Sequence, residues 1–177
     1  NIQLAASTNI FVLNKQFANS YFWIFPIENN LYNVGFGVVN PTTKGKTIDI
    51  KKAFAHLIAT DKNLAKYFER ATKVTDVQGF KLPLYNKQVA ISGSAYMLCG
   101  DAAHLIDPLQ GHGIDKAMHS GYLAAQQAMA CFANNNFSAQ FMQQYDAKVY
   151  AAMGKELQRN TRIMKAVSSM PWLADVL

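Results

Sequence analysis

The stretch from Met97 to Ile114 reads Met-Leu-Cys-Gly-Asp-Ala-Ala-His-Leu-Ile-Asp-Pro-Leu-Gln-Gly-His-Gly-Ile, and the rest of the chain is best interpreted from it. An apolar strand over residues 95–100 is predicted to end in Gly-Asp, and a proline-containing loop with Gly-x-Gly then leads into a long helix. A helix start offers free backbone N–H groups and the positive end of the helix dipole. Loop glycines let a flat or phosphorylated ligand approach the backbone closely. The pattern predicts a binding site in which Asp101 accepts hydrogen bonds from a ligand hydroxyl.

Gly-Asp-Ala-Ala, followed after a few residues by Pro, two further residues and Gly-x-Gly, resembles the second FAD-contacting motif of the flavoprotein monooxygenase and geranylgeranyl reductase superfamily. The resemblance implies that Asp101 binds the ribityl chain of FAD and that the N–H groups near the start of the helix stabilise the anionic reduced flavin. The cofactor contacts that it implies are Gly100, Asp101, Pro108, Gly111, His112, Gly113 and Ile114. The alternative interpretation is an ordinary strand-to-helix loop with turn residues and a capping aspartate.

A row of aromatic residues precedes this motif in the chain. Period-two alternation places three of them on one face of a strand, namely Tyr21, Trp23 and Phe25. Gly35 and Gly37 on the predicted return strand leave room for a bulky group above them. The strand pair is similar to the one that forms the substrate pocket of geranylgeranyl reductase-like enzymes, which implies that the aromatic row binds substrate. Plain sheet core is the alternative, because pockets and cores share an apolar composition.

The remaining pattern predicts a mixture of strands and helices. Strands are predicted over 10–13, 21–27 and 31–39. Helices are predicted over 48–60, after the N-cap Asp61, after Gly113 and after the N-cap Ser138, the last ending before Pro171. Helical spacing places the apolar residues of this last helix on one shared face, namely Phe141, Tyr145, Val149, Ala152, Met153 and Leu157. In the helix after Gly113, an apolar stripe of mostly small residues from Ile114 to Phe132 is predicted to pack closely against a sheet or another helix.

The predicted fold class is α+β, as part of an α/β flavoprotein. Residues 1–92 would form an antiparallel substrate-pocket sheet with short helices. Residues 93–177 would form the last strand and the terminal helices of an FAD-binding domain.

Histidines in and near the motif are the remaining candidates for chemistry. His112 and His119 lie two helical turns apart, but a metal site needs further ligands at fixed geometry, and no metal is expected. His112 stands between two glycines where relatives often carry Glu, which makes it a candidate to contact flavin or substrate and to donate a proton. No Ser-His-Asp or nucleophilic cysteine arrangement is recognisable, so no catalytic residue is assigned.

Composition indicates a globular protein long enough for one or two small cores, with 177 residues of which 50% are hydrophobic. The net charge of +6 comes from scattered basic residues, which indicate a solvated surface and would also suit a phosphorylated cofactor. No nucleic-acid partner is expected, since the aromatic residues alternate with apolar residues rather than with Lys or Arg.

Location is predicted from what the sequence lacks. It has neither a run of apolar residues long enough to span a bilayer nor a signal-peptide pattern. Cys99 and Cys131 are interpreted as buried small hydrophobic residues without zinc or disulfide spacing, which fits a reducing cytoplasm. Peripheral contact with a membrane stays open.

The Gly-x-Gly-x-x-Gly string that binds the ADP pyrophosphate in FAD enzymes of this class does not occur in the chain. The resemblance therefore implies a C-terminal portion of a larger enzyme, which holds half of an FAD site. The sheet would lack partner strands, and we predict self-association or rearrangement of the isolated piece.

The function that these features imply is that of an FAD-dependent oxidoreductase acting on a large apolar, prenyl-like substrate. Reduction of a double bond and hydroxylation both occur among such enzymes, halogenation stays open, and NADPH is the candidate electron donor. The alternative from another class is a non-enzymatic module without flavin that binds a lipid or a partner chain. Loss of flavin binding in Asp101→Ala would discriminate between the two.

Overall fold

The structure is a computed structural model, and it contains helices and strands in the mixture that the sequence predicts. The residues that it describes are 8–13, 20–38, 42–43 and 46–169. They form two compact units, residues 1–80 and residues 81–177, which are considered separately below. The predicted domain boundary between residues 92 and 93 falls inside the second unit and, as a division of a complete flavoprotein fold, stays a prediction.

The first unit is a three-stranded antiparallel sheet with two helices. Its strands are β1 (Ile10–Leu13), β2 (Ser20–Pro26) and β3 (Tyr32–Val38), with β2 in the centre, and a two-residue ribbon follows as β4 (Thr42–Thr43) and β5 (Lys46–Thr47). The helices are α1 (Ile50–Thr60) and α2 (Lys62–Phe68). Asp61 ends α1 and caps α2, because its side chain accepts a hydrogen bond from the Asn63 backbone N–H. The strands, both helices and the Asp61 cap confirm the sequence predictions.

Alternation along β2 separates the core of this unit from its outer face. Phe22 and Ile24 are fully buried and pack against Leu57 of α1 and Leu64 of α2. The next residues along the strand point to the opposite side of the sheet, so the aromatic row lies on the face away from the helices. Burial of the Phe22 face therefore decides the register of the whole sheet.

The second unit is built from three long helical segments and a short hairpin. The helices are α3 (Ile114–Ala133), α4 (Ala139–Val149) and α5 (Lys155–Ser169), with one π-helical turn, Tyr150–Gly154, that makes α4 and α5 continuous. The hairpin consists of β6 (Ser92–Gly93) and β7 (Tyr96–Met97). The buried core contains Tyr85, Ile91, Leu105, Tyr145, Val149, Met153 and Leu157. Cys131 is buried as predicted, whereas Cys99 is only half-buried.

The strand predicted over residues 95–100 is shorter than expected. Only Tyr96 and Met97 pair, and their partner β6 has two residues. Ala95 and Gly100 both have positive φ, 61° and 54°, which interrupts the extended backbone on either side. The Gly-Asp sequence therefore begins a 3-10 turn, Gly100–Ala103, rather than continuing a strand.

Within this chain the apolar stripe of α3 is exposed for most of its length, so the sheet or helix that it was predicted to pack against is not found among the described residues. Ile114, Met118, Met129 and Phe132 are 66–80% exposed, whereas the buried residues of this helix are Lys116, Ser120, Gln127 and Cys131. The polar residues among these face inward because each has a hydrogen-bonding partner there. Ser120 accepts from the Gly100 N–H, and the Gln127 side chain donates to the Phe141 carbonyl.

The last helix begins where the sequence predicts, since the Ser138 hydroxyl accepts a hydrogen bond from the Phe141 N–H. The predicted buried face is found at Tyr145, Val149, Met153 and Leu157, but Ala152 is exposed. The π-helical turn explains this difference, because one extra residue per turn rotates the following helix and brings Tyr150 inward. The predicted stop before Pro171 lies outside the described residues. None of the described helices combines the length and apolar character needed to cross a membrane.

We expect Tyr145→Phe to lower the free energy of unfolding by about 0.5–1.5 kcal/mol, the net contribution of a typical intramolecular hydrogen bond. The Tyr145 hydroxyl donates to the Leu98 carbonyl at 2.6 Å and so joins α4 to the backbone before the Gly-Asp turn. Burial raises the pKa of Tyr145, which keeps this donor protonated. Urea unfolding of the two proteins measures the difference, and Tyr122→Phe on an exposed face is the control. Equal losses in both variants would contradict the expectation.

Candidate functional site

The Gly-Asp turn is held against α3 by its own backbone. The Gly100 N–H donates to Ser120 Oγ at 3.0 Å, and the Leu105 N–H closes the turn onto the Gly100 carbonyl. A Cβ atom at Gly100 would lie 2.7 Å from Ala117 Cβ, and the φ of Gly100 is +54°. Glycine is therefore required here both by the backbone conformation and by the close approach to α3.

Asp101 is exposed and lies beside the start of α3. A Cβ atom at Gly113 would lie 3.2 Å from Asp101 Oδ1 and 3.3 Å from Ile106 Cγ1, so a side chain at this position would crowd the carboxylate. Within the described residues, no hydrogen bond to the Asp101 carboxylate is found. The fold thus brings together two predicted site residues that are separated by a whole loop, and it leaves the carboxylate oxygens available to a ligand.

The loop between them is built around Asp107. Its buried carboxylate accepts hydrogen bonds from the N–H groups of Leu109 at 2.8 Å and Gln110 at 3.0 Å. Its backbone N–H donates to the His112 carbonyl, and its carbonyl accepts from Gly111, whose φ is +71°. Burial raises the pKa of Asp107, but hydrogen bonds from Gln110, Asn160 and Leu109 outweigh burial and hold the pKa below its ordinary value.

The N-terminus of α3 completes the site. Gly113 occupies the capping position and offers no side-chain cap, so the first-turn N–H groups have no helical acceptor. Ile114 is 80% exposed at this end. Lys116 Nζ pairs with Asp115 at 2.8 Å and with Glu156 of α5 at 3.2 Å. Burial lowers the pKa of Lys116, but the hydrogen bonds that its ammonium donates to both carboxylates outweigh burial and raise the pKa.

His112 and Pro108 occupy different environments in the loop. His112 is exposed, so a ligand can reach its ring, and its Nε2 lies 3.7 Å from Asp115 Oδ1. Pro108 is buried, so it packs inside the loop and is not part of the loop's exposed surface. Within the described residues, no group of three metal-ligating side chains is close enough to hold a metal ion.

The aromatic row lies on the outer face of the first unit, and Phe11 of β1 extends it. Neighbouring rings from Phe11, Tyr21, Trp23 and Phe25 lie 5.1–6.4 Å apart between centroids. The three predicted residues are half-buried, and Phe11 is 61% exposed. The row is thus a continuous aromatic surface, separate from the core around Phe22.

The space above the two glycines of β3 is filled by the row itself. A Cβ at Gly35 would lie 2.0 Å from Trp23 Cζ2, and one at Gly37 would lie 3.4 Å from the Tyr21 ring. The Trp23 indole N–H donates to Asn33 Oδ1 at 2.8 Å, which fixes the ring flat across the strand. The predicted room for a bulky group is therefore occupied by the chain's own indole.

Sequence analysis missed four residues that shape the loop and the helix start, namely Asp107, Ser120, Glu156 and Asn160. An aspartate just before Pro-x-x-Gly is a signal for a side chain that caps a turn, and it could have identified Asp107. Ser120 interrupts an apolar helix pattern, which is a weaker signal. Asn160 has no local signal, because its partner Asp107 lies 53 residues away in the chain.

Comparisons with known proteins find relatives over most of the chain. Residues 1–77 match the family profile described as geranylgeranyl reductase catalytic domain. The chain is 33% identical to the digeranylgeranylglycerophospholipid reductase of Methanoculleus marisnigri over 90% of its own length, and 31% identical to that of Methanocella arvoryzae over 96%. The crystal structure of a geranylgeranyl bacteriochlorophyll reductase-like protein from Thermoplasma acidophilum matches with a TM-score of 0.73, 27% identity and 93% coverage. The chain spans only 38%, 41% and 40% of the lengths of these three proteins.

Proposed function

Because the chain belongs to the geranylgeranyl reductase-like family, as its motifs predict, we propose that it supplies the flavin loop and the substrate wall of an FAD-dependent prenyl-lipid reductase. The observation that carries this proposal is the approach of the unpaired Asp101 carboxylate to the uncapped start of α3. The relatives named above are reductases, so we propose reduction of a double bond, whereas nothing in the comparisons supports hydroxylation.

The residues present fit a flavin. Asp101 offers carboxylate oxygens to the ribityl hydroxyls, and a side chain at Gly113 would fill the space beside that carboxylate. The first-turn N–H groups of α3, near Gly113 and Ile114, supply partial positive charge toward a flavin carbonyl. Bound FAD would supply the redox chemistry, with NADPH as the proposed electron donor. His112, exposed on the same loop, is the residue that we propose contacts flavin or substrate.

The aromatic row supports a large apolar substrate. Tyr21, Trp23 and Phe25 offer ring faces outside the core, and apolar walls with few polar groups are typical of sites for such ligands. The two digeranylgeranylglycerophospholipid reductases act, by their names, on a prenyl lipid. We accordingly propose a prenyl chain as the ligand of the row. Since such lipids reside in membranes, peripheral membrane contact from the cytoplasm is part of the proposal.

We expect Asp101→Ala to weaken FAD binding by the full gene product about 10- to 100-fold, the loss expected when hydrogen bonds to a charged group disappear. Flavin absorbance on titration with FAD measures the dissociation constant. Asp76→Ala, which removes a fully exposed carboxylate in the first unit, is the matched control and should bind FAD like the wild type. If the wild-type protein takes up no FAD, or if Asp101→Ala binds it unchanged, the proposed function is wrong and a flavin-free lipid-binding module becomes the better account.

A further inference from the structure

One face of α5 contacts both ends of the proposed flavin loop. Glu156 accepts hydrogen bonds from Lys116 Nζ at 3.2 and 3.3 Å, and Lys116 lies in the first turn of α3. One helical turn further along, Asn160 Nδ2 donates to Asp107 Oδ2 at the beginning of the loop. The loop between Asp107 and Lys116 is therefore attached to the same rigid helix at both ends.

Asp107 is more than a turn-forming residue. It is 0% exposed, and within the described residues no basic side chain forms an ion pair with it. A buried charge is expensive unless N–H donors replace its hydration. Leu109, Gln110 and Asn160 supply those donors. An aspartate that only caps an exposed turn would need the N–H groups of Leu109 and Gln110 alone. The additional hydrogen bond from Asn160 therefore indicates a role for Asp107 beyond forming the turn.

The hydrogen bonds of Asp107 also select which N–H groups the loop leaves for a ligand. Leu109, Gln110 and Gly111 all direct their N–H groups to oxygen atoms of Asp107. The N–H groups that remain for a ligand lie at the start of α3, next to Gly113. The Asp107 carboxylate therefore takes up the N–H groups of Leu109 and Gln110, its backbone carbonyl takes up that of Gly111, and the loop presents its remaining donors at the start of α3.

We propose that Asp107 is the positioning residue of the flavin loop and that Asn160 of α5 holds its carboxylate in the orientation that exposes the start of α3 to the flavin. This inference rests on the proposed function, since it identifies the loop's ligand as FAD. Asp107 touches no ligand itself, and the effect of its carboxylate on flavin binding passes through the N–H groups of Leu109 and Gln110.

The test compares Asn160→Asp with the exchange Asp107→Asn/Asn160→Asp in the full gene product. The single change sets two buried carboxylates against each other, whereas the exchange restores one amide and one carboxylate. Gln158→Glu is the matched control, because it makes the same amide-to-acid change on the exposed side of α5. Hydrogen exchange of the peptide covering residues 105–113, measured without flavin, reports loop order, and titration with FAD reports its consequence.

We expect Asn160→Asp to speed exchange in this peptide and to weaken FAD binding, each at least about tenfold, as for loss of a hydrogen bond to a charged group. The exchange variant should recover most of both losses, and Gln158→Glu should change neither. Should Asn160→Asp fail to fold, Asn160→Ala removes the donor without adding a charge and carries the same expectation.

Two results would overturn the positioning role: unchanged exchange in the loop, or faster exchange with unchanged FAD affinity. The second would show a contact that orders the loop but has no bearing on the flavin. A wild-type protein that takes up no FAD refutes the proposed function, and with it a positioning role toward flavin. The flavin-free exchange data would then still show whether Asn160 orders the loop, so the two failures are distinguishable.

Discussion

Gly100→Ala is expected to lower the free energy of unfolding by about 2–5 kcal/mol, from left-handed backbone strain of about 1–2 kcal/mol and overpacking of about 1–3 kcal/mol. The φ of Gly100 is +54°, and the new methyl group would lie 2.7 Å from Ala117 Cβ and 3.2 Å from Ala117 Cα. Because the second contact is with helix backbone, the turn itself must move. Movement would also strain the hydrogen bond to Ser120 and displace Asp101, so FAD binding should fall together with stability.

Gly121→Ala is the matched control for this change. Gly121 lies in α3, and a Cβ atom there would meet nothing within 4 Å. The substitution should therefore stabilise the protein by about 0.5–1 kcal/mol, because alanine has the higher helix propensity. Urea unfolding of both variants, followed by circular dichroism, gives the two free energies. A Gly100→Ala protein as stable as the wild type would contradict the close packing of the turn on α3.

Phe22→Ala should cost about 3–5 kcal/mol, the range for truncating a buried aromatic side chain. The Phe22 ring is fully buried, stacked 5.5 Å from Phe54 of α1 and edge-on 6.0 Å from Phe68. Its removal leaves a cavity where β2 meets both helices. The loss is a large fraction of the total, because the free energy of unfolding of a small unit with one core is low. Thermal and urea unfolding measure the loss.

Phe25→Ala tests the outer face of the same strand and is compared with Phe22→Ala on the buried face. Phe25 is half-buried on the outer face, so we expect a loss of less than about 1.5 kcal/mol. Under the proposed function, the same change should raise the KM for a prenyl substrate, because it removes part of the aromatic wall. If Phe25→Ala destabilises the fold as much as Phe22→Ala and leaves KM unchanged, the row is sheet core and the substrate assignment is wrong.

The local sequence pattern predicted the structure correctly wherever that structure depends on residues close together in the chain. Alternation along 21–27 correctly separated Phe22 from Trp23, because one face of a strand must be buried and the period is two. Asp61 and Ser138 were correctly identified as helix caps, since a capping side chain bonds an N–H group only two or three residues away. The Gly-Asp and Gly-x-Gly motifs likewise lie in one short stretch of chain, and the reductases that the comparisons find are similar to the chain over most of its length.

The tertiary structure decided the features whose partners are distant in the chain. Hydropathy predicted the apolar side of α3 as its buried face, yet Lys116, Ser120 and Gln127 are buried because Glu156, Gly100 and Phe141 supply their hydrogen bonds. A polar side chain is buried only where a hydrogen-bonding partner lies within reach, and the local sequence pattern does not show that partner. The sequence by itself determined the strand faces, the helix caps and the family motif. Only the fold brought Asp101 beside Gly113 and Asn160 onto Asp107, because contacts between distant residues exist only once the helices have packed.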